Sequence, residues 1–369
     1  MNLLYITHLT GRLSDGPCYS VPAQIKSQSK YDDVFWWNLT LPILPHWKET
    51  GLFHNIEQYP KKSISSLPAP FNMPDLVVFE DFYYIDDIIL SFECRRRHIP
   101  YVITPRGALT KQGQSKKCIK KKIANLLAFR PMVKHAAAIQ YLTEQEYKDS
   151  GEQWNSHCFI EPNGIYPVTE EKKWGEKNQF AAIHGVYIGR FDLYHKGLDI
   201  LYNAVLKMQN QMRKFNITIA LYGPECDGQR EKLKRNIIEN EISDILCVND
   251  SVFDDNKKTV LENADFFIMT SRFEGMPMSM IEAMSYGLPC VASKGTNLSD
   301  VIKANNAGWV CENNVNSVVR ALTKLIRQRS NIFMYGNNAW KLSMHYDWDR
   351  IANRTHQQYK RIMKRIAKQ

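Results

Sequence analysis

Two glutamates, Glu274 and Glu282, stand eight residues apart in Ser-Arg-Phe-Glu-Gly-Met-Pro-Met-Ser-Met-Ile-Glu-Ala, residues 271–283. The apolar run Phe266 to Met269 before them has strand length. Gly275 gives the turn freedom, and Pro277 suits a first helical position, where its missing N–H would be unpaired anyway. The predicted helix runs to about Tyr286, with Gly287 to stop it and Pro289 to prevent restart. Free N–H groups and the positive helix end favour a phosphate there, in the stretch Gly275, Met276, Pro277, Met278 and Ser279 that opens the helix. Acids touching that phosphate would repel it, so Glu274 and Glu282 read as acceptors for hydroxyls on either side. A diphosphate with a nucleoside at one end and a hexosyl group at the other meets that description.

Cations that could neutralise such a diphosphate lie earlier. Arg190 and Lys196 occupy Gly-Arg-Phe-Asp-Leu-Tyr-His-Lys-Gly, residues 189–197, a predicted strand exit where ligands of parallel sheets bind. Solvated loop cations are the plain alternative for each alone. Arg106, beside Gly107, sits in a similar exit loop and could face the phosphates or an acceptor, or serve structure. Glu80 and Asp81 close a strand, where a surface position is the simpler reading. Asp347-Trp348-Asp349 looks like a metal-binding acid pair, but capping of the terminal helix explains it better. No zinc pattern, Gly-x-Ser-x-Gly elbow or phosphate loop with Gly-Lys-Ser/Thr occurs, and no metal or cofactor is expected.

Strands and helices alternate in the elements that must hold these residues. Strands are expected at Leu3–Thr7, Leu76–Phe79, Tyr101–Thr104, Ala136–Leu142, Val186–Gly189, Ile217–Tyr222 and Ile245–Val248, with helices between. Residues 31–74 show no clear period. Thr143 with Glu146 reads as a capping box. The alternation predicts βαβ units and an α/β fold of two doubly wound domains with a cleft between them. Residues 1–168 form the first domain, 169–182 a charged linker and 183–347 the second. The basic helix of about 348–369 follows.

The chain has 369 residues, 44% hydrophobic and 23% charged, a soluble globular composition with room for two cores. It opens directly on the apolar Leu3-Leu4-Tyr5-Ile6, without the pattern of a signal peptide, and no apolar run approaches a membrane span. The eight cysteines include no Cys-x-x-Cys pair, so reduced thiols and a cytoplasmic setting are expected. The net charge of +10 concentrates in Lys116–Lys122 and Lys360–Lys368. Both runs have helical spacing with apolar residues between the charges, and suit an anionic membrane surface, a nucleic acid or a solvated face. Interleaving by Ile, Leu and Ala rather than aromatic residues favours the membrane and argues against nucleic acid.

At these residues the chain resembles the retaining, nucleotide-sugar-dependent glycosyltransferases of group 1, with the GT-B fold of two Rossmann-like domains facing a central cleft. Glu274 to Glu282 corresponds to that family's Glu-x7-Glu motif. The 189–197 loop corresponds to its diphosphate-binding Arg and Lys, Gly16 to its first glycine loop, Tyr222-Gly223-Pro224 to its glycine turn, and Val252-Phe253 to the nucleobase position. Asn163-Gly164 corresponds to the end of the first domain. The resemblance implies that Glu282 holds the ribose, Glu274 the transferred sugar, and Arg190 and Lys196 the departing diphosphate without a metal. It also implies that the terminal helix crosses back to the first, acceptor-binding domain. Many relatives carry a histidine where this chain has Pro105-Arg106-Gly107; a subset of bacterial polysaccharide enzymes shares Pro-Arg-Gly. The expected activity is transfer from a nucleotide-diphosphate sugar, UDP- or GDP-linked, to a surface polysaccharide such as O-antigen or to a lipid-linked saccharide. Its expected place is the inner membrane face. A soluble small-molecule transferase or a sugar-nucleotide epimerase of the same build is the alternative.

Overall fold

The computed structural model describes residues 1–12, 16–115, 118–151, 154–172, 174 and 181–368, with side chains from 121 onward in the basic helix. The chain divides into two compact units, Met1–Gly164 with Trp348–Gln369, and Ile165–Asp347. Half of the predicted linker, and Lys116, Lys117 and the Lys120 side chain of the first basic run, lie outside the described residues.

The first unit runs β1 (Asn2–Thr7), α1 (Pro17–Gln28), β2 (Asp33–Asn38), β3 (Phe53–Asn55), β4 (Leu76–Glu80), α2 (Ile85–Arg96), β5 (Tyr101–Thr104), α3 (Lys111–Ser115), α4 (Cys118–Ala124), α5 (Arg130–His135), β6 (Ala138–Tyr141), α6 (Glu144–Ser150) and β7 (Cys158–Ile160). Its parallel sheet has the order β3-β2-β1-β4-β5-β6-β7. Residues 31–74 therefore hold two strands where no period was evident. In β2 every residue after Asp33 is buried, because Phe35 and Trp37 pack into the core on one face and Val34 and Trp36 on the other. A strand covered on both faces shows no alternation. A π-helical turn, Asn125–Phe129, joins α4 to α5. The capping box is half formed. Thr143 Oγ1 accepts from Glu146 N at 3.0 Å, while the Glu146 carboxylate turns to Leu142 N and Gly107 N.

The second unit runs β8 (Ile183–Ile188), α7 (Leu198–Lys214), β9 (Ile217–Tyr222), α8 (Gln229–Glu239), β10 (Leu246–Asn249), α9 (Asp254–Asn263), β11 (Phe266–Met269), α10 (Met278–Ser285), β12 (Cys290–Ser293), α11 (Ser299–Ala304), β13 (Gly308–Cys311), α12 (Val315–Arg327) and α13 (Ile332–Ser343). Its sheet order is β10-β9-β8-β11-β12-β13, all parallel. All of β11 is buried. Helix α12 buries Val318, Ala321, Leu322, Leu325 and Ile326, the i, i+3, i+4, i+7 face of an amphipathic helix.

Helix α14 (Trp348–Ile366) returns to the first unit, against α1. Its buried stripe runs from Trp348 through Ile351, Thr355 and Tyr359 to Ile362. Polar contacts pin it: ion pairs from Lys30 Nζ to Asp349 at 2.6 Å and Arg354 Nε to Glu161 at 2.9 Å, and a hydrogen bond between His356 Nδ1 and Asp32 at 2.8 Å. The apolar residues of the second basic run, Ile362, Met363 and Ile366, pack on the core of this unit, which leaves its charges, not its apolar face, outward.

Candidate active site

In the second sheet the strand order reverses between β8 and β11, so the loops leaving these neighbouring strands diverge and open a crevice at their carboxyl ends. Both loops are tied down. Tyr187 Oη donates to the Arg190 carbonyl at 2.9 Å, and Phe191 N to the Pro224 carbonyl at 3.1 Å. Asp192 caps the turn that follows, accepting from His195 N at 2.8 Å. Gly197 has φ of 62°, and a Cβ there would lie 2.0 Å from the Thr270 carbonyl oxygen, so only glycine lets the first loop close on the end of β11. The loops are then stitched together. Arg272 N donates to the His195 carbonyl at 2.9 Å, the His195 ring stacks on Phe273 at 4.0 Å, and its Nε2 meets the Phe273 carbonyl at 2.7 Å. Burial of that ring lowers its pKa, with Glu274 opposing the shift. The Arg272 guanidinium grips Asp199 with two bonds of 2.7 Å.

The chemistry-bearing residues gather on this frame. Lys196 Nζ, from the β8 loop, donates to Glu274 Oε1 at 2.6 Å, from the β11 loop. Ser271 Oγ donates to the same oxygen at 2.6 Å. Asn297 Nδ2 holds the Glu274 and Gly275 carbonyls. Pro277 is the N-cap of α10 and supplies no side-chain bond, so the helix begins at Met278, one residue later than its sequence suggests. The first amides, those of Met278 and Ser279, have no partner within the helix. Glu282, in the second turn, pairs with Lys257 of α9. Phe253 is the N-cap of that same helix and is exposed, with Val252 half-buried before it. Gly223 brings the β9 exit against the β8 exit; a Cβ would lie 1.8 Å from the Gly189 carbonyl. The Arg190 side chain has no ion-pair partner among the described residues, in contrast to Lys196.

Residues 183–328 match the family model of the glycosyl transferases group 1. That match falls wholly within the second unit. A Methanocaldococcus jannaschii uncharacterized glycosyltransferase is 21% identical over 95% of this chain and 91% of that protein. A Haemophilus influenzae uncharacterized glycosyltransferase is 25% identical over 51% of this chain, and the match spans about half of that relative, 53%. An Escherichia coli UDP-Gal:alpha-D-GlcNAc-diphosphoundecaprenol alpha-1,3-galactosyltransferase is 34% identical over a short stretch, 18% of this chain and 17% of that protein. Among solved structures, Anabaena HepE in complex with UDP aligns with a TM-score of 0.74 at 14% identity, over 98% of this chain and all of that one. That likeness establishes the fold, two Rossmann-like parallel-sheet domains of the GT-B kind. The enzyme class is that of the glycosyltransferases.

The glycosyltransferase domain thus brings together Arg190, Lys196, Gly223, Glu274 to Ser279 and Glu282. Three partners escaped the sequence reading: Ser271, Lys257 and Asn297. Ser271, one turn of chain before Glu274, carried a signal in its spacing; the other two carried none. Gly16, Arg106 and Gly107 belong to the first unit. Gly16 is the N-cap of α1, its carbonyl accepting from Tyr19 N and Ser20 N at 3.1 Å. Arg106, at φ of 48°, is engaged by the protein itself. Its Nε donates to Glu80 at 2.9 Å, Nη1 to Asn163 at 3.0 Å and Nη2 to Gln24 at 2.9 Å. Glu80 is 1% exposed, not at the surface as its place at a strand end suggests, and burial raises its pKa against the pull of Arg106. Nearby, His8 bonds Asp87 at 2.8 Å and stacks on Tyr84 at 3.7 Å.

Proposed function

We propose that this glycosyltransferase is a retaining, metal-independent enzyme that moves a sugar from a nucleotide-diphosphate sugar to a hydroxyl of a growing polysaccharide or lipid-linked saccharide, working on the inner face of a membrane. The observation that carries the reading is the Lys196–Glu274 contact across the β8 and β11 loops, with the uncapped start of α10 beside it. In this arrangement the diphosphate meets the α10 amides and Arg190 and Lys196. Glu274 accepts from hydroxyls of the transferred sugar and Glu282 from the ribose. As the anomeric C–O bond breaks, charge builds on the diphosphate oxygens, and the two cations stabilise it, the task a metal performs elsewhere. The acceptor hydroxyl enters on the face the diphosphate leaves. Its proton passes to the departing phosphate oxygen, so the anomeric configuration is kept. The name of the Escherichia coli relative, with a UDP-sugar donor and a diphosphoundecaprenol acceptor, and the UDP held by HepE support the donor and acceptor classes.

A screen of UDP- and GDP-sugars by nucleotide release, with the product anomer read by NMR and a chelator arm, tests each part. Release should persist in chelator, give the donor's anomeric configuration, and fall at least about a hundredfold in Glu274→Gln and Arg190→Ala, from the loss of transition-state contacts. Wild-type rates in both variants would refute the site.

A further inference from the structure

Two neighbouring helical segments of the first unit leave their large apolar side chains in solvent. On α2, Ile85, Ile89 and Phe92 are 73%, 55% and 63% exposed. Their spacing of four and three residues forms one row. On α4 and the π turn after it, Ile123, Leu126 and Leu127 are 58%, 72% and 74% exposed. The two segments are neighbours through α5, which follows the π turn and packs on α2. Leu90 and Cys94 of α2 share a core with Met132 and Val133 of α5. At the start of α2, Tyr83 Oη donates to Asn125 of the π turn at 3.0 Å, and Phe82 packs on Phe129 at 5.1 Å between ring centres. An apolar area of this kind on a soluble protein marks a docking surface.

The charge around it says what docks. Between Glu93 and Glu144 the sequence has no Asp or Glu and twelve Lys and Arg. Arg95, Arg96, Lys122, Arg130 and Lys134 are exposed. The acids of α2 are engaged: Asp86 by Lys62 at 2.6 Å, Glu93 by Arg97 at 3.1 Å and by backbone amides of Ile64 and Ser65, and Asp87 by His8. A two-fold contact with a second copy would set these cations against themselves. An anionic bilayer instead takes the aliphatic row into its acyl boundary while the long cations reach the phosphates. No helix among the described residues is long and apolar enough to cross a membrane.

We propose that the α2 row and the α4–π-turn row together form a monotopic docking face for an anionic phospholipid bilayer. It rests on the reading of a membrane-borne acceptor and names the surface that would meet it. The outward charges of α14 are not part of it.

The test is flotation of the full chain with vesicles of phosphatidylcholine alone or mixed with phosphatidylglycerol, at low and high salt. The wild type should float with the mixed vesicles, less so at high salt, and weakly with phosphatidylcholine. Arg95→Glu/Arg96→Glu should weaken partitioning by roughly thirtyfold or more, at about fivefold per cation near the surface. Leu126→Ser/Leu127→Ser and Ile89→Ser/Phe92→Ser should each weaken it by roughly tenfold or more; these side chains are exposed, so folding should survive, checked by circular dichroism. A wild type that stays at the bottom, variants that float unchanged, or a solution dimer that Leu127→Ser dissolves would overturn the docking face. Nucleotide release from a nucleotide-sugar without membranes separates the two ideas. Release retained by all variants leaves the transfer reading standing whatever the vesicles show, and flotation without release in the wild type refutes that reading and keeps the face.

Discussion

Arg106 divides a structural role from a ligand-binding one, and Arg106→Met tells them apart. The guanidinium makes three bonds of 3.0 Å or less, to Glu80, Asn163 and Gln24. Its side chain is 6% exposed and that of Glu80 is 1%. Methionine keeps the stem but strands the buried carboxylate, leaving it Gln24 at 2.9 Å and Thr104 at 3.4 Å. Removing one partner of a buried pair costs about 3–5 kcal/mol. Glu80 can escape part of that by taking a proton, since burial already raises its pKa. A raised acid favours the protonated native state below the raised value. The loss is therefore smallest at mildly acidic pH and grows as pH rises through the window above the ordinary carboxylate range. Two units need not unfold together, so the assay is native-state hydrogen exchange on β4 and β5, with β8 and β11 as internal controls. Exchange of β4 and β5 amides should speed by roughly two to three orders of magnitude at neutral pH, at tenfold per 1.4 kcal/mol, and less at pH 5. Arg106→Met/Glu80→Gln should recover part of the protection. Unchanged exchange with sugar transfer abolished would refute the structural role and place Arg106 on a ligand.

Three further outcomes follow from the second unit. Gly197→Ala meets both a left-handed backbone and the Thr270 carbonyl, so it should destabilise that unit by about 1–3 kcal/mol and displace Lys196, read as a lowered melting transition and lost transfer; a neutral effect would mean that the loop contact is dispensable. Lys257→Met should raise KM for the nucleotide-sugar by roughly twofold to fivefold with kcat kept, because it removes a cation that orients Glu282; a fall in kcat alone would contradict this role. His195 has its pKa lowered by burial, so its contribution to stability is complete above the ordinary histidine value near 6.5 and is lost as pH falls into the window beneath it. Chemical denaturation across pH 5–8 should show that loss in the wild type and a flatter profile in His195→Gln.

Much of the frame was readable from residues. Strands β5 and β9 fall where apolar runs between turns place them, and β11 likewise, because parallel strands with helices on both faces are short, continuous and hydrophobic. The same physics hid β2, where Phe35, Trp36 and Trp37 are all buried and no alternation marks a face. Placement was legible where its signal was local: the glutamates flank one helix start, and the two cations share one exit loop. Pairings were not. Lys196 and Glu274 are 78 residues apart, and only the adjacency of β8 and β11 brings them together. Lys257 and Glu282 sit on different helices, and no spacing links them. For Arg106 position alone left two roles open. It stands in a strand exit like a ligand-binding residue, yet Glu80, a buried strand-end acid, occupies it.

The charge arrangement of the second unit lets one crevice carry two carboxylates and still suit a polyanion. Glu274 is matched by Lys196 at 2.6 Å and Glu282 by Lys257, so each of the two acids is held by one cation. That prevents two carboxylates near an uncapped helix start from repelling a diphosphate at long range. Arg190 is the cation left over, without an ion-pair partner among the described residues. With Asp192 of the same loop counted, three cations stand against three acids, and the α10 amides tip the crevice toward an anion. On the proposed reading a donor binds by exchange: its hydroxyls take over the carboxylate oxygens paired with Lys196 and Lys257, and the ammonium groups turn to phosphate oxygens. Only a ligand that offers hydroxyls and phosphates together completes both halves of that exchange. Inorganic diphosphate or a plain sugar would leave one half undone, and so should compete with the nucleotide-sugar far more weakly than the nucleoside diphosphate does.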